Sequence, residues 1–395
     1  MDIFPQIKCF FRYFSLTLIR RKLVLTLTIG TVKQQPRLYR RLRSDVSKAV
    51  GLARFLSLPL FPFVFLALFA LAGCPRNGGQ RKGGTESLPQ TQEQPATDLF
   101  TIRYRLKWLY QAQFAGVFMA QEKGFYARQG LNVEILPGGL EYPPYQSLIS
   151  GSADVTSINL IYAIHNYHSG PGVVNLAQIS QKNSTLLVGK KTSGIKTLRD
   201  LRGKKVGVWR DEPGEYVRHF LEEQNLDIQV VPIEWSVNLL LSDAVDMMNV
   251  MDYNEYHRIL MAGLDEDELV TFNLGDYGFD IIDDGLYTTR DFYALHPDQC
   301  RAFANATLEG WKYALEHREE TLDVVLRYQK IAHLPANRSH QAWMLDKMRD
   351  RVLEKPEKVG WLDPADFERA QAILLKYKNI SQPVDYHEFY PQEKK

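Results

Sequence analysis

Residues 104–139 read YRLKWLYQAQFAGVFMAQEKGFYARQGLNVEILPGG. At their start, Thr101 to Trp108 alternates in character around Ile102, Tyr104 and Trp108, the pattern of a strand that opens a domain. From Phe114 to Tyr126 the apolar residues Val117, Phe118, Ala120, Phe125 and Tyr126 fall mostly at three- and four-residue spacing, which predicts a helix that Gly124 or Gly130 bends or ends. Leu131 to Leu136 predicts a second strand. Strand, helix and strand in one short run make a parallel βαβ unit, which sets the turn Tyr110–Phe114 at the carboxyl edge of a sheet, where α/β folds bind ligands.

The chain beyond repeats this logic. GGLEYPPY at 138–145 is a turn-rich loop in which Tyr142 or Tyr145 either stacks on a flat ligand or caps the core. A helix is expected from Tyr145 to Ser152, then a strand from Asp154 to Ile158 that delivers Asn159 to the same edge as Gln111, Gln113 and Phe114. Strands are expected at Val173–Ile179, Thr185–Gly189, Val206–Trp209, Val230–Ile233, Met247–Met251 and Val270–Asn273. Trp209–Glu215 is again a strand-to-helix turn. Free N–H groups at a helix start favour anions, yet Asp211, Glu212 and Glu215 fill this one with negative charge. They either select a cationic or amine-bearing ligand over sulfonate, nitrate or phosphate, or simply cap the helix and complement its dipole. Helical periodicity dominates from Pro297 to Lys376.

The 395-residue chain carries a formal charge of +2, but the segment through Cys74 alone carries +10, which leaves −8 for the remainder. The basic balance therefore belongs to the leader and makes no case for nucleic-acid binding. FLSLPLFPFVFLALFALAG at 55–73 follows Lys48 and Arg54 and runs into Leu71-Ala72-Gly73-Cys74, the layout of a secretory signal. That ending resembles the bacterial lipobox, which implies lipidation of Cys74. A membrane anchor is the competing reading, disfavoured by Pro59, Pro62 and the polar stretch that follows. Residues 1–45 are longer than such a leader needs, and translation is expected to start downstream of them. Residues 74–98, rich in Gly, Gln, Pro and Thr, form a tether. Cys9, Cys74 and Cys300 are the only cysteines, so the mature chain supports no disulfide and no cysteine-based metal site. His165 and His168 lack a third ligand and are expected on a wet helix face.

The pattern Trp108-x5-Phe114-Ala-Gly-Val-Phe-Met-Ala-Gln-Glu-Lys-Gly-Phe-Tyr126-x3-Gly130-Leu131-x-Val133, with Gly138-Gly139 and SLISGSADV at 147–155, resembles the opening of type II periplasmic binding proteins. More narrowly it resembles the branch of thiamine-pyrimidine synthase and of receptors for thiamine pyrimidine precursors, over roughly residues 100–390. The resemblance implies a two-lobed α/β fold with a hinge and a ligand cleft: lobe 1 from 99–189 and 286–395, lobe 2 from 190–285. It places Asn249, Asp252, Tyr253 and Asn254 at the cleft beside Trp108, Tyr110, Trp209 and the acidic turn. It implies a monomeric, exported, lipid-anchored receptor facing the periplasm or exterior, which hands a small planar ligand, an aminopyrimidine, to the permease and ATPase of an ABC importer. The alternatives are a synthase or a ligand sensor for a signalling partner. The synthase pattern has histidine where this chain has Phe114 and a cysteine cluster where it has Asp283-Asp284-Gly285-Leu286-Tyr287. Those reactive groups have no substitute in Phe or Tyr, so no catalytic residue, cofactor or metal is expected.

Overall fold

The computed structural model describes residues 99–210 and 214–391. The expected leader and tether, Cys74, Asp211 and Glu212 lie outside the described residues. The described residues open with β1 (Phe100–Arg105), α1 (Ala115–Glu122), α2 (Phe125–Arg128) and β2 (Leu131–Leu136). β1 and β2 pair in parallel along their whole length, from Phe100 opposite Leu131 to Arg105 opposite Leu136. The anticipated single helix is two, because Gly124 takes a left-handed φ of 68° between them.

There follow α3 (Pro144–Ile149), β3 (Val155–Asn159), α4 (Leu160–His165), β4 (Val173–Gln178), β5 (Thr185–Lys190), β6 (Lys205–Trp209), α5 (Gly214–Glu223) and β7 (Gln229–Ile233). Next come α6 (Asn238–Leu241), β8 (Met247–Met251), α7 (Glu255–Met261), β9 (Leu269–Asn273), β10 (Asp284–Thr289), α8 (Arg290–Leu295) and α9 (Pro297–Glu316). The chain closes with α10 (Arg318–Ile331), α11 (Arg338–Val352), α12 (Pro364–Lys376) and α13 (Tyr386–Phe389).

Two five-stranded sheets organise these elements, in the orders β2-β1-β3-β10-β4 and β7-β6-β8-β5-β9. In each, the central strand pairs in parallel with one neighbour, while a strand returning from a crossover, β10 or β5, runs antiparallel to its neighbours. β5 thus belongs to the second sheet, so the outward crossing falls between Gln178 and Thr185, ahead of the Lys190 expected from sequence. The antiparallel pairing of β5 with β8 and β9 is the reason.

The first sheet buries Ile102, Tyr104 and Val155 against Phe118, Met119, Phe303 and Trp311 of the flanking helices. Each such large side chain contributes about 1.5–3 kcal/mol on burial. Cys300 is fully buried in the same core, which pushes its thiol up to about 12. The closing helices do more than cover the first lobe. Arg351 on α11, itself buried, pairs with Asp252 after β8, and beyond α12 Asn379 donates to Glu215 Oε1 at 3.0 Å. Lys376 pairs with Glu223 at 2.6 Å, so both sheets are gripped by the C-terminal segment.

The two crossings are zipped together. Ile179 and Ser180 N–H groups donate to the Asp284 carbonyl at 3.1 and 2.9 Å, and the buried Gln178 Nε2 donates to the carbonyls of Ser180, Asp283 and Asp284 at 2.9, 3.0 and 3.2 Å. Replacing this amide with an apolar side chain leaves the Ser180 carbonyl and the buried Asn175 Nδ2, which donates to Gln178 Oε1 at 3.1 Å, without these partners, each costing about 1–3 kcal/mol. Gln178→Leu is therefore expected to lower the unfolding free energy by roughly 2–3 kcal/mol, read from urea denaturation at unchanged slope.

Candidate functional site

Each sheet sends a tryptophan to one cavity. After β1 the chain leaves the sheet through Lys107 and Trp108, and Gly138 N–H donates to the Trp108 carbonyl at 3.0 Å. A Cβ on Gly138 would lie 1.8 Å from the Leu106 carbonyl oxygen, so only glycine lets the two exits touch. After β6, Gly214 plays the same part: its Cβ would lie 1.8 Å from the Trp209 carbonyl oxygen. The two indoles meet across the lobes at right angles, 89°, with ring centroids 6.0 Å apart.

The cavity they flank holds about 330 Å³, within the range of small-molecule sites. One wall is Gly139, Leu140, Pro143, Pro144, Tyr145 and Gln146 of the loop into α3, and Ile158 and Tyr162 lie beneath. The second lobe supplies Met251, Tyr253, Asn254 and Glu255 from the β8–α7 turn. Lys107, Gln111 and Gln113 complete the lining.

A polar chain backs the first-lobe side. Gln111 Nε2 donates to Gln113 Oε1 at 2.6 Å, Gln113 Nε2 donates to Asp284 Oδ2, and Lys107 Nζ donates to Asp284 Oδ1 at 2.8 Å and to Asn159 Oδ1. The turn itself is pinned by α11: Ala112 N–H donates to Gln341 Oε1 at 2.8 Å. On the other side, Glu255 accepts from Met251 N–H at 3.0 Å and from Asn254 Nδ2 at 2.6 Å, one bond on each carboxylate oxygen. Each oxygen keeps a lone pair for a ligand donor. Burial pushes the Glu255 carboxyl above the usual range, opposed by the backbone N–H groups of Met251 and of Glu255 itself.

Of the residues expected at the site, Trp108, Gln111, Gln113, Trp209, Tyr253 and Asn254 line the cavity, as does Tyr145, the alternative to Tyr142. The others expected there and described by the structure face elsewhere. Tyr110 donates its hydroxyl to the Ile135 carbonyl at 3.1 Å and packs on Phe118 and Tyr328. Phe114 is core, 3% exposed. Tyr142 is half exposed, with the Arg105 guanidinium over its ring. Asn159 sits one layer behind, bonded to Lys107. Asn249, inside β8, donates to the Leu186 carbonyl, and Asp252 turns outward to Arg351 and Trp343. Glu215 faces Asn379, leaving Glu255 as the carboxylate of the lining among the described residues. Glu255 ends the DYNE run after β8, and one more residue of the same turn would have included it. Lys107 carried no signal, since a lone lysine before a tryptophan suits any strand end. His165 is half-buried, its Nδ1 2.9 Å from the Tyr216 hydroxyl, which corrects the wet-face expectation.

A model of the NMT1/THI5-like family matches residues 111–321. The formylaminopyrimidine-binding protein of Halalkalibacterium halodurans is 22% identical over 328 residues, spanning 81% of this chain and 94% of that protein. A putative thiamine biosynthesis protein of Haemophilus influenzae is 25% identical over 237 residues, 58% of this chain and 73% of its own. Among solved structures, the periplasmic aliphatic sulphonate-binding protein SsuA of Escherichia coli superposes with a TM-score of 0.55 at 15% identity, over 74% of this chain and 92% of that one. The two sheets and the cleft between them define the periplasmic binding protein fold. Within it, the chain belongs to the NMT1/THI5-like family.

Asp283, beside the hinge carbonyls, has its pKa raised to about 6, first by burial, with Asp284 adding and Lys107 opposing. Because the folded value lies above the unfolded one, the folded state holds a proton that the unfolded chain has lost, and stability falls as pH rises from about 4 to about 6. Asp283→Asn is expected to raise Tm at pH 7 and to leave it nearly unchanged at pH 4, measured by thermal denaturation across that range.

Proposed function

We propose that this chain is the solute-binding component of an ABC import system and that its ligand is an aminopyrimidine of the thiamine-precursor class. The observation that carries the ligand reading is a cavity with two indoles from opposite lobes and a buried carboxylate, Glu255, in its lining. An aminopyrimidine has a flat electron-poor ring for the aromatic walls. Its exocyclic amine donates to a carboxylate, and the neighbouring ring nitrogen adds a second, amidine-like donor when it is protonated. A sulfonate or nitrate would meet Glu255 as a like charge, and Lys107 already serves Asp284. The formylaminopyrimidine-binding relative supports the same class of ligand. A dissociation constant near micromolar, about −8 kcal/mol, is the working expectation.

Export and lipid anchoring at Cys74 belong to the same proposal, carried by the basic, apolar and Leu-Ala-Gly-Cys succession at residues 48–74. The tether then holds the binding lobes near the permease that would receive the ligand.

Thermal shift on residues 96–395 with formylaminopyrimidine, 4-amino-5-hydroxymethyl-2-methylpyrimidine, riboflavin, taurine and nitrate tests the ligand class. A ligand at a hundred times its dissociation constant stabilises by about 2.7 kcal/mol. Pyrimidines are expected to respond, and Glu255→Gln to weaken them roughly tenfold to a hundredfold, the size of a charge-assisted hydrogen bond. A response to taurine or nitrate alone sinks the reading. For the anchor, metabolic labelling with radioactive palmitate is expected to mark the wild-type chain and not Cys74→Ala.

A further inference from the structure

The carboxylate that lines the cavity is connected to the opposite lobe by an unbroken line of hydrogen bonds. Asn254 Nδ2 donates to Glu255 Oε1 at 2.6 Å. Its Oδ1 is therefore the acceptor, taking Arg258 Nε at 3.2 Å and His340 Nε2 at 3.0 Å. His340 stands on α11, packed by the first sheet's helices, whereas Asn254 and Glu255 begin α7 of the second lobe. Accepting at Asn254 Oδ1 requires a hydrogen on His340 Nε2, so the neutral ring has a bare Nδ1. That Nδ1 lies 3.0 Å from Nδ1 of His257, on α7. One hydrogen must lie between the two nitrogens, and it belongs to His257. His340 is 5% exposed, Asn254 6% and Glu255 1%, so water does not compete for these bonds.

We propose that His340 is a positioning residue for Glu255: with its tautomer fixed by His257, it holds Asn254 so that the amide N–H points at Glu255 while the lobes meet, an arrangement that a charge on the buried ring disfavours. This rests on Glu255 being the ligand anchor. A proton added to His340 places a charge in this buried contact beside Arg258, and a second proton on the pair puts hydrogens on both facing Nδ1 atoms, which can then no longer share one.

The surroundings favour the neutral pair. Arg258 on α7 faces it through Asn254, and Lys347 lies over Trp343, whose ring stacks on His257 at 4.7 Å. The Arg351–Asp252 pair sits further along α11, while Glu319 and Asp323 of α10 are committed to Arg338. The turn Ala112–Phe114 against α11 carries no titratable side chain. Burial lowers the His340 pKa to about 4, with Arg258 and His257 adding, and burial lowers that of His257 too. The closed arrangement thus binds fewer protons than separated lobes, and it loses stability as pH falls from the ordinary histidine range toward 4. Glu255 protonates in the same direction, so the test must separate the two groups.

His340→Gln keeps a side-chain N–H for Asn254 without the titration, and His340→Leu removes the donor. Affinity for 4-amino-5-hydroxymethyl-2-methylpyrimidine is measured by calorimetry between pH 7.5 and 5.0. At pH 7.5 His340→Gln is expected within threefold of wild type and His340→Leu at least tenfold weaker. Between pH 7.5 and 5.0 the wild type is expected to lose at least threefold more affinity than His340→Gln. His257→Phe, which keeps the ring against Trp343, is expected to bind at least threefold more weakly and stands in should His340→Leu fail to fold. A ligand-free arm reads the rings directly: long-range nitrogen–proton spectra of ¹⁵N-histidine protein should show His340 protonated at Nε2 and His257 at Nδ1. The opposite tautomers, or His340→Leu and His257→Phe with wild-type affinity and pH profile, overturn the proposal. If the wild type binds no pyrimidine, the ligand reading falls and the tautomers still decide this one.

Discussion

Asp284 is bound from three directions, and the cavity is arranged around the result. Its carboxylate receives Lys107 and Gln113 from the turn after β1, and its carbonyl receives Ile179, Ser180 and Gln178 from the outward crossing. It also starts β10, the strand that completes the first sheet. A buried carboxylate left without partners costs several kcal/mol. Satisfying it fixes the first turn, both crossings and the sheet edge at one point. Trp108 then has little choice of place.

The second lobe is held by different means. Its β8–α7 turn takes Arg351, the Trp343 indole N–H and His340 from α11, so three side chains of one helix hold Asp252 and Asn254. Breaking a buried ion pair such as Arg351–Asp252 costs about 3–5 kcal/mol, because the survivor stays buried and unpaired. Domain closure in a two-lobed protein is usually carried by hinge strands. Here α11 adds a second seam beside the cavity, and opening the cleft means releasing it.

Much of the architecture was legible in the chain. Hydrophobic period gave the opening βαβ unit, the strands of both sheets apart from β10, and the long closing helices, since those patterns answer to local geometry alone. The lobe membership of β5 was not legible, because Thr185–Lys190 has the same apolar content whether it extends one sheet or enters the next. At the site, residues next to a glycine-tightened turn were found: Trp108, Gln111, Gln113 and Trp209. Tyr110 and Phe114 were misplaced because a turn of five residues points its side chains in several directions, and the core competes for aromatics. Asp252 was misplaced for a related reason, the pull of a buried arginine on a distant helix. Sequence spacing carries no information about that partner.

The perpendicular setting of Trp108 and Trp209 has one more consequence. A disc laid flat on one indole meets the other side-on, so the two rings interrogate different parts of the same guest. Aromatic π faces are electron-rich and their edges electron-poor, so full engagement favours a guest whose plane is electron-deficient and whose outline is slim where it turns toward the second ring. Broad polycycles satisfy the first demand and collide with the second, which gives this cleft a size sieve made of nothing but ring orientation.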